Sequence, residues 1–472
     1  MPYLHFGAAH PVPQPLREGV ARLRGALDVP DGFPPAALAE AEAAASRIPL
    51  PDADRTDIEF VTIDPPGAKD LDQALHIERS GAGYLVRYAI ADVAGFVPPG
   101  GALDRECHAR GVTLYAPNLR TPLHPPVLSE GAASLLPGQE RPALLWELTL
   151  DADGHLTGTR VSRARVRSRA QLSYDQVQAD LDAGTAPEPL RLLREVGERR
   201  LALEAARGGV NLPTPEQEVV AHAGAWALEF RTTLPVEEWN AQISLLTGSA
   251  AAELMLAGGV GILRTLPPAE QADLDRLRRI ARGLRLTWPG SMPYPEFVRS
   301  LEPARPAHAA MLNAATRLFR GAGYVAFDGE VPGSARHAAL ATHYTHVTAP
   351  LRRLVDRYAS EVCLALDAGR PVPEWVRAAL PGLPKVMGAA DARAKKFERG
   401  IIDLVEALVL SPHVGEIFTG TVIEADERGG VVQIAEPAVE ARSTGRLRLG
   451  EEARVRLESV DLTSGSVRFS AA

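Results

Sequence analysis

Three carboxylates, Asp64, Asp70 and Asp72, fall within nine residues of one another, directly after the apolar run Ile58-Glu-Phe-Val-Thr-Ile63. Pro65-Pro-Gly67 between them forces a turn. A strand end followed by a turn can aim all three at one place. Hard oxygen donors with no Cys or His nearby suit Mg²⁺ or Mn²⁺ rather than zinc. The spacing is not that of an EF-hand, which needs alternate ligands and a closing glutamate. The competing reading is ordinary turn and cap aspartates. A second basic and aromatic set lies far away in the chain, around Tyr344-Thr-His-Val-Thr-Ala-Pro-Leu-Arg-Arg353. Thr348-Ala-Pro350 reads as a cap-and-proline helix start, which would turn backbone amides and Arg352 toward one anion. Arg353 can pair with Asp356.

The elements that must position these groups follow from periodicity. Residues 16–27 and 35–48 have helical spacing, and residues 1–55 read as a small helical unit that a linker at 49–54 closes. Strand-like runs cover 58–63, 83–90 and 143–150, and Asp151-Ala-Asp-Gly154 is a hairpin turn signal. Helical stretches dominate afterwards, at 174–183, 189–206, 237–257, 271–283, 307–319, 351–367 and 385–410. A mixed sheet followed by many helices predicts an α+β domain over 56–410. Pro412 ends the last helix. Strands return at 414–423, 430–434, 453–460 and 466–470, with turns between them. That spacing predicts a five-stranded barrel of the OB-fold type over 411–472.

Composition sets the outer bounds. The chain has 472 residues, 46% hydrophobic and 23% charged. That is ordinary globular composition, with about three domains as a prior. Its net charge of −8 excludes a bulk-basic nucleic-acid binder but not a local basic groove. Lys69, Lys385, Lys395 and Lys396 are the only lysines among 51 basic residues; the rest are arginines, the better phosphate forks. Cys107 and Cys363 are the only cysteines, so no disulfide framework or cysteine zinc site is expected. The most apolar run, 251–263, still holds Glu253 and three glycines and is too short to span a bilayer. The first residues show neither a basic segment nor an apolar run of the secretory kind. The expectation is a cytoplasmic protein with no membrane association and no evident protein partner, working as a monomer.

Asp64-Pro-Pro-Gly-Ala-Lys-Asp-Leu-Asp72 resembles the signature of the RNB catalytic domain, the RNase II/RNase R family of exoribonucleases. The resemblance continues in order through Ile90-Ala-Asp-Val-Ala-Gly-Phe-Val97, Gly100-Gly-Ala-Leu-Asp104, Arg110-Gly-Val-Thr-Leu-Tyr115, Leu123-His-Pro-Pro-Val-Leu-Ser129 and Ser134-Leu-Leu-Pro-Gly138. It closes with His337 and 344–353. The tail 414–472 resembles the ribosomal S-one type OB-fold that follows this domain in the family.

The resemblance implies an Mg²⁺-dependent hydrolase that digests single-stranded RNA from the 3′ end to nucleoside 5′-monophosphates. It implies that Asp64, Asp70 and Asp72 hold metal and that Arg352 holds the scissile phosphate. Arg353 and Glu398 are implied near the nucleotide, and Tyr115 is implied to stack on the 3′-terminal base. Gln73 stands where the family has a fourth aspartate. Its carbonyl can coordinate but brings no charge, so an aspartate there is expected to lower the Mg²⁺ requirement. Asp92 is the other acid able to complete the set. The terminal barrel carries few aromatics, with Phe418 a lone RNA-facing candidate, and is expected to cap the catalytic channel. The alternative function is a weakened or inactive RNA-binding protein that retains the nuclease channel.

Overall fold

The computed structural model of the chain describes residues 12–116, 119–212, 216–222, 225–231, 233–333 and 335–472. The residues read for a secretory segment, 1–11, lie outside them.

The expected mixed sheet closes on itself as a five-stranded barrel. Its strands, in order around the barrel, are Phe60–Ile63, Gln73–Ser80, Gly83–Ala91, Glu140–Leu150 and Leu156–Leu172. Four neighbouring pairs are antiparallel. Closure comes from the fifth pair, Phe60–Ile63 running parallel to the end of the 17-residue strand Leu156–Leu172. That pairing joins segments about a hundred residues apart, so local alternation does not reveal it. The Asp151–Gly154 turn forms as expected: Asp151 Oδ1 accepts from the amides of Asp153 and His155. Unbroken burial over Tyr88–Val93 shows that helices cover the outer wall.

Helix Leu354–Asp367 runs through the core, and residues 354–365 are all buried. Its buried charged residues are ion-paired. Arg357 reaches Asp104 at 2.5 Å, and Arg163 bridges Asp92 and Glu361. Helices Pro235–Gly258 and Leu383–Leu410 flank it. The two N-terminal helices, Gln14–Ala26 and Pro35–Ala45, share this core through Leu16, Val20, Ala37 and Ala41. Glu40 caps helix Ala102–Arg110 from outside, accepting from the amides of Ala102 and Leu103 at 2.8 Å each.

Residues 271–319 form a second, smaller apolar cluster built from helices Gln271–Gly283, Tyr294–Arg299 and Pro306–Ala315. Its edge reaches the terminal barrel at Ile423, Val431 and Leu449. That barrel is also closed, in the order Ile417–Asp426, Gly429–Ile434, Val439–Thr444, Ser466–Ala471, Glu452–Asp461. Val439–Thr444 and Ser466–Ala471 pair in parallel at Ser443↔Phe469, which is OB-fold topology. Phe418 packs edge-on against Phe469 at 5.9 Å and is half-buried.

Candidate active site

The acidic loop leaves the barrel at the end of Phe60–Ile63 and returns at Gln73. Asp64 N–H donates to Leu172 C=O at 3.0 Å, which fixes the exit. Gly67 has φ +79°, a conformation glycine adopts without steric cost. The return is pinned by Ser134. Its hydroxyl accepts from Leu71 N–H at 3.0 Å and donates to Lys69 C=O at 2.6 Å, while Leu135 N–H donates to Leu71 C=O. The Ser134-Leu-Leu-Pro-Gly138 run is thus the clamp that holds the acids.

Facing this loop lies 348–353, stitched to it at several points. Gln73 Nε2 donates to Thr348 C=O. Leu351 N–H donates to Asp72 Oδ1 at 2.7 Å. Thr113 N–H donates to Arg352 C=O at 3.0 Å, and Leu354 N–H to Gly111 C=O at 2.9 Å. Gly111 has φ +72°, and a Cβ there would lie 2.5 Å from Ala390 Cβ. Only glycine permits this close crossing of the long helix.

Asp72 is 1% exposed and Arg352 Nε stands 3.0 Å from its Oδ2. The two atoms face each other as charges without hydrogen-bond alignment, and Asp72 Oδ2 and Asp64 Oδ2 are buried oxygens that accept no hydrogen bond among the described residues. Burial outweighs the pull of Arg352. It pushes the Asp64 carboxyl up to about 7 and the Asp72 carboxyl up to about 8, with the charge of Asp70 adding to both. Two desolvated carboxylates with open oxygens suit a hard divalent cation. Asp70 is turned elsewhere: it accepts from Tyr115 Oη at 3.1 Å and from Arg120 Nη1 at 2.5 Å. Among the described residues, no three carboxylate, His or Cys groups are gathered closely enough to hold one ion. Asp64 and Asp72 are the better-placed donors, and Asp70 would join them only by leaving Arg120.

The remaining sequence-stated residues divide. Tyr115 sits half-buried on strand Leu114–Ala116, opposite Arg120, with its phenol on Asp70. Arg353 turns its fork to Asp356, at 2.9 and 2.8 Å, and the charge of Asp356 holds its guanidinium pKa up against burial. Of the two readings for Arg353, pairing with Asp356 is the one the geometry contains. Glu398 is half-buried on helix Leu383–Leu410, its carboxyl raised by burial, and makes no ion pair with Lys395 among the described residues. It shares no contact with the acid cluster. Asp92 is ion-paired to Arg163 at 2.6 Å.

The expected helix start at Pro350 falls one turn early. The helix begins at Leu354, and the amides of Ala349 and Leu351 are already bound to Asp356 and Asp72. The anion-facing amides expected there are therefore occupied. Sequence reasoning missed Arg120, which bridges Asp70 and Glu130. Its signal was the pair of short β-prone runs at 114–116 and 119–121, which places Tyr115 across from it. No helix among the described residues is long and apolar enough to cross a membrane.

Comparison with known proteins agrees with this architecture. Residues 53–365 match the RNB domain model, and residues 416–472 match the RNase II-type exonuclease C-terminal S1 domain. Ribonuclease R of Escherichia coli (strain K12) is 27% identical over 489 aligned positions, covering 91% of this chain and 58% of the relative. The chain thus spans under two thirds of that relative's length. Ribonuclease R of Aquifex aeolicus is 26% identical across 94% of this chain and 68% of its own. Among solved structures, Mycoplasma genitalium RNase R in complex with ribose methylated single-stranded RNA superposes with TM-score 0.87 at 19% identity, covering 97% of this chain and 78% of that one. Yeast Ssd1, a pseudonuclease, superposes with TM-score 0.69 at 19% identity, over 87% of this chain and 53% of its own. The RNB domain match spans well over half of the chain and the S1 match follows it, so the chain belongs to the RNB family.

Proposed function

We propose that this chain hydrolyses single-stranded RNA from the 3′ end and releases nucleoside 5′-monophosphates, working as a monomer in the cytoplasm. The observation that carries this reading is the meeting of open Asp64 and Asp72 oxygens with Arg352 at one barrel rim, beside the Tyr115 ring. Asp64 and Asp72 would hold a divalent cation, Mg²⁺ by the hardness of the donors, which supplies charge neutralisation and a water of lowered pKa. Arg352 is the group for the scissile phosphate, since a guanidinium grips two phosphate oxygens and stabilises their growing charge. Asp72 and Thr113 hold that arginine in place. Water adds to phosphorus, the bond to the upstream 3′-oxygen breaks, and that oxygen leaves with a proton. The departing nucleotide keeps the 5′-phosphate. Tyr115 offers a face for the terminal base, a contact indifferent to sequence.

The test is digestion of 5′-labelled oligo-A with Mg²⁺ and with EDTA. A ladder shortening from the 3′ end, with nucleoside 5′-monophosphate released only with Mg²⁺, is expected. Binding without products would replace this reading with the inactive channel. Products with cyclic or 3′-phosphate ends would overturn the assigned chemistry.

A further inference from the structure

A basic feature lies outside the acid site, where the helices of residues 271–319 meet the terminal barrel. A cleft of about 500 Å³ opens there between helix Gln271–Gly283 and the turn around Leu449. Arg276 and Arg279 line one wall and Arg448 the other, with Glu451 the one acid among the lining residues. The three arginines are exposed. Arg276 and Arg279 form no ion pair among the described residues, and Arg448 has only a loose contact with Glu451 at 3.8 Å. They lie one helical turn apart on one wall, so both point the same way.

The frame beneath them is rigid. Gly450 has φ +78°, and a Cβ there would lie 2.0 Å from Leu284 Cδ2. The turn therefore sits directly on the end of the arginine helix. Gly450 N–H donates to Val422 C=O at 2.8 Å and Val422 N–H to Glu451 C=O at 3.0 Å. The backbone of the turn that carries Arg448 is thus held against the end of the helix that carries Arg276 and Arg279. This concentration of exposed positive charge, against the single acid Glu451, stands out on a chain of net charge −8.

We propose that this cleft binds the phosphate backbone of single-stranded RNA, as a second contact outside the catalytic site. The inference rests on the RNA reading above and adds to it the place where the distal strand is held. Exposed guanidinium forks on two walls suit a flexible chain of phosphates. No aromatic side chain lines the cleft, so the contact reads backbone and not base.

The test is fluorescence anisotropy with a 30-nucleotide RNA in EDTA, so that binding is read without cleavage. The variant is Arg276→Ala/Arg279→Ala/Arg448→Ala. The control, Arg17→Ala/Arg47→Ala/Arg370→Ala, removes equal charge from exposed positions elsewhere. Losing three phosphate contacts should lower the slope of log K against log salt by about 2 and weaken binding roughly tenfold or more near 0.1 M salt. The control should match wild type, and so should hydrolysis of a five-nucleotide RNA by the cleft variant. An unchanged slope, or an equal loss in the control, overturns the proposal. Equal competition by polyglutamate of matched charge overturns the RNA assignment in favour of an acidic protein partner. A wild type that binds RNA through this cleft but releases no nucleotide with Mg²⁺ would sink the nuclease reading and leave the cleft standing.

Discussion

Gln73→Glu tests the contact that the structure gives this side chain, its amide donating to Thr348 C=O, against the metal-ligand role proposed for residue 73. The substitution keeps length and shape but removes the N–H that donates to Thr348 C=O. Thr348 is 3% exposed, so its carbonyl would lose its amide partner and face a carboxylate oxygen. An unsatisfied buried acceptor costs about 1–3 kcal/mol. The new negative charge also lies next to buried Asp72 in sequence, which adds to the cost in the absence of metal. Urea unfolding in EDTA should therefore show a loss of about 1–3 kcal/mol or somewhat more. The same change places a carboxylate next to Asp72 in the chain. If the carbonyl end of Gln73 faces the cation, 10 mM Mg²⁺ should restore more stability to Gln73→Glu than to wild type, because ion affinity rises with ligand charge. No loss in EDTA would refute the latch to Thr348. A loss that Mg²⁺ leaves untouched would refute a ligand role for residue 73 while keeping the latch.

Other consequences follow from the same geometry. Tyr115→Phe should leave the limit product of digestion unchanged, since the ring remains and only the bond to Asp70 goes; Tyr115→Ala should lengthen it, because a base stack is worth about 1–3 kcal/mol and short RNA has few other contacts. An unchanged limit product with alanine would refute stacking. Asp64 and Asp72 have folded-state pKa values raised to about 7 and about 8. Their contribution to stability is full below the unfolded carboxylate range and is lost as pH rises through 7 and 8. In EDTA the unfolding free energy should fall between pH 5 and pH 8.5, on the order of a few kcal/mol. Mg²⁺ affinity should rise over the same interval as the ion displaces protons; a flat profile refutes the buried-acid account. Arg353→Met should destabilise the fold by about 3–5 kcal/mol by stranding buried Asp356. Arg352→Met should fold and bind RNA but hydrolyse it at least about a hundredfold more slowly; thermal melts and single-turnover rates distinguish the two.

Where the chemistry was local, it was legible in the sequence. The aspartate loop, the Asp151–Gly154 turn and helix Gln271–Gly283 follow from turn residues and periodicity alone. The terminal barrel was readable because its strands are short, alternating and regularly spaced. Closure of the first barrel was not, since it depends on a parallel pairing between Phe60–Ile63 and Leu156–Leu172 that leaves no local mark. The start of the core helix was misplaced because Thr348-Ala-Pro350 carries cap and proline signals that tertiary contacts use otherwise. There the amides bind Asp356 and Asp72 instead of opening a helix. The roles of neighbouring arginines were equally hidden. Arg352 and Arg353 differ by one position, yet one faces the acid site and the other is bound to Asp356.

Asp72→Asn tests the central claim most directly. Asparagine keeps an oxygen for Leu351 N–H, so the arginine segment stays anchored while the charge beside Arg352 disappears. The measurement is single-turnover hydrolysis of 5′-labelled oligo-A with Mg²⁺, paired with the dissociation constant for the same RNA. Hydrolysis should fall by at least about a hundredfold with binding changed by less than about threefold. Equal loss of binding and hydrolysis would mean that the loop is structural. Hydrolysis at the wild-type rate would mean that the aspartate cluster is not the active site.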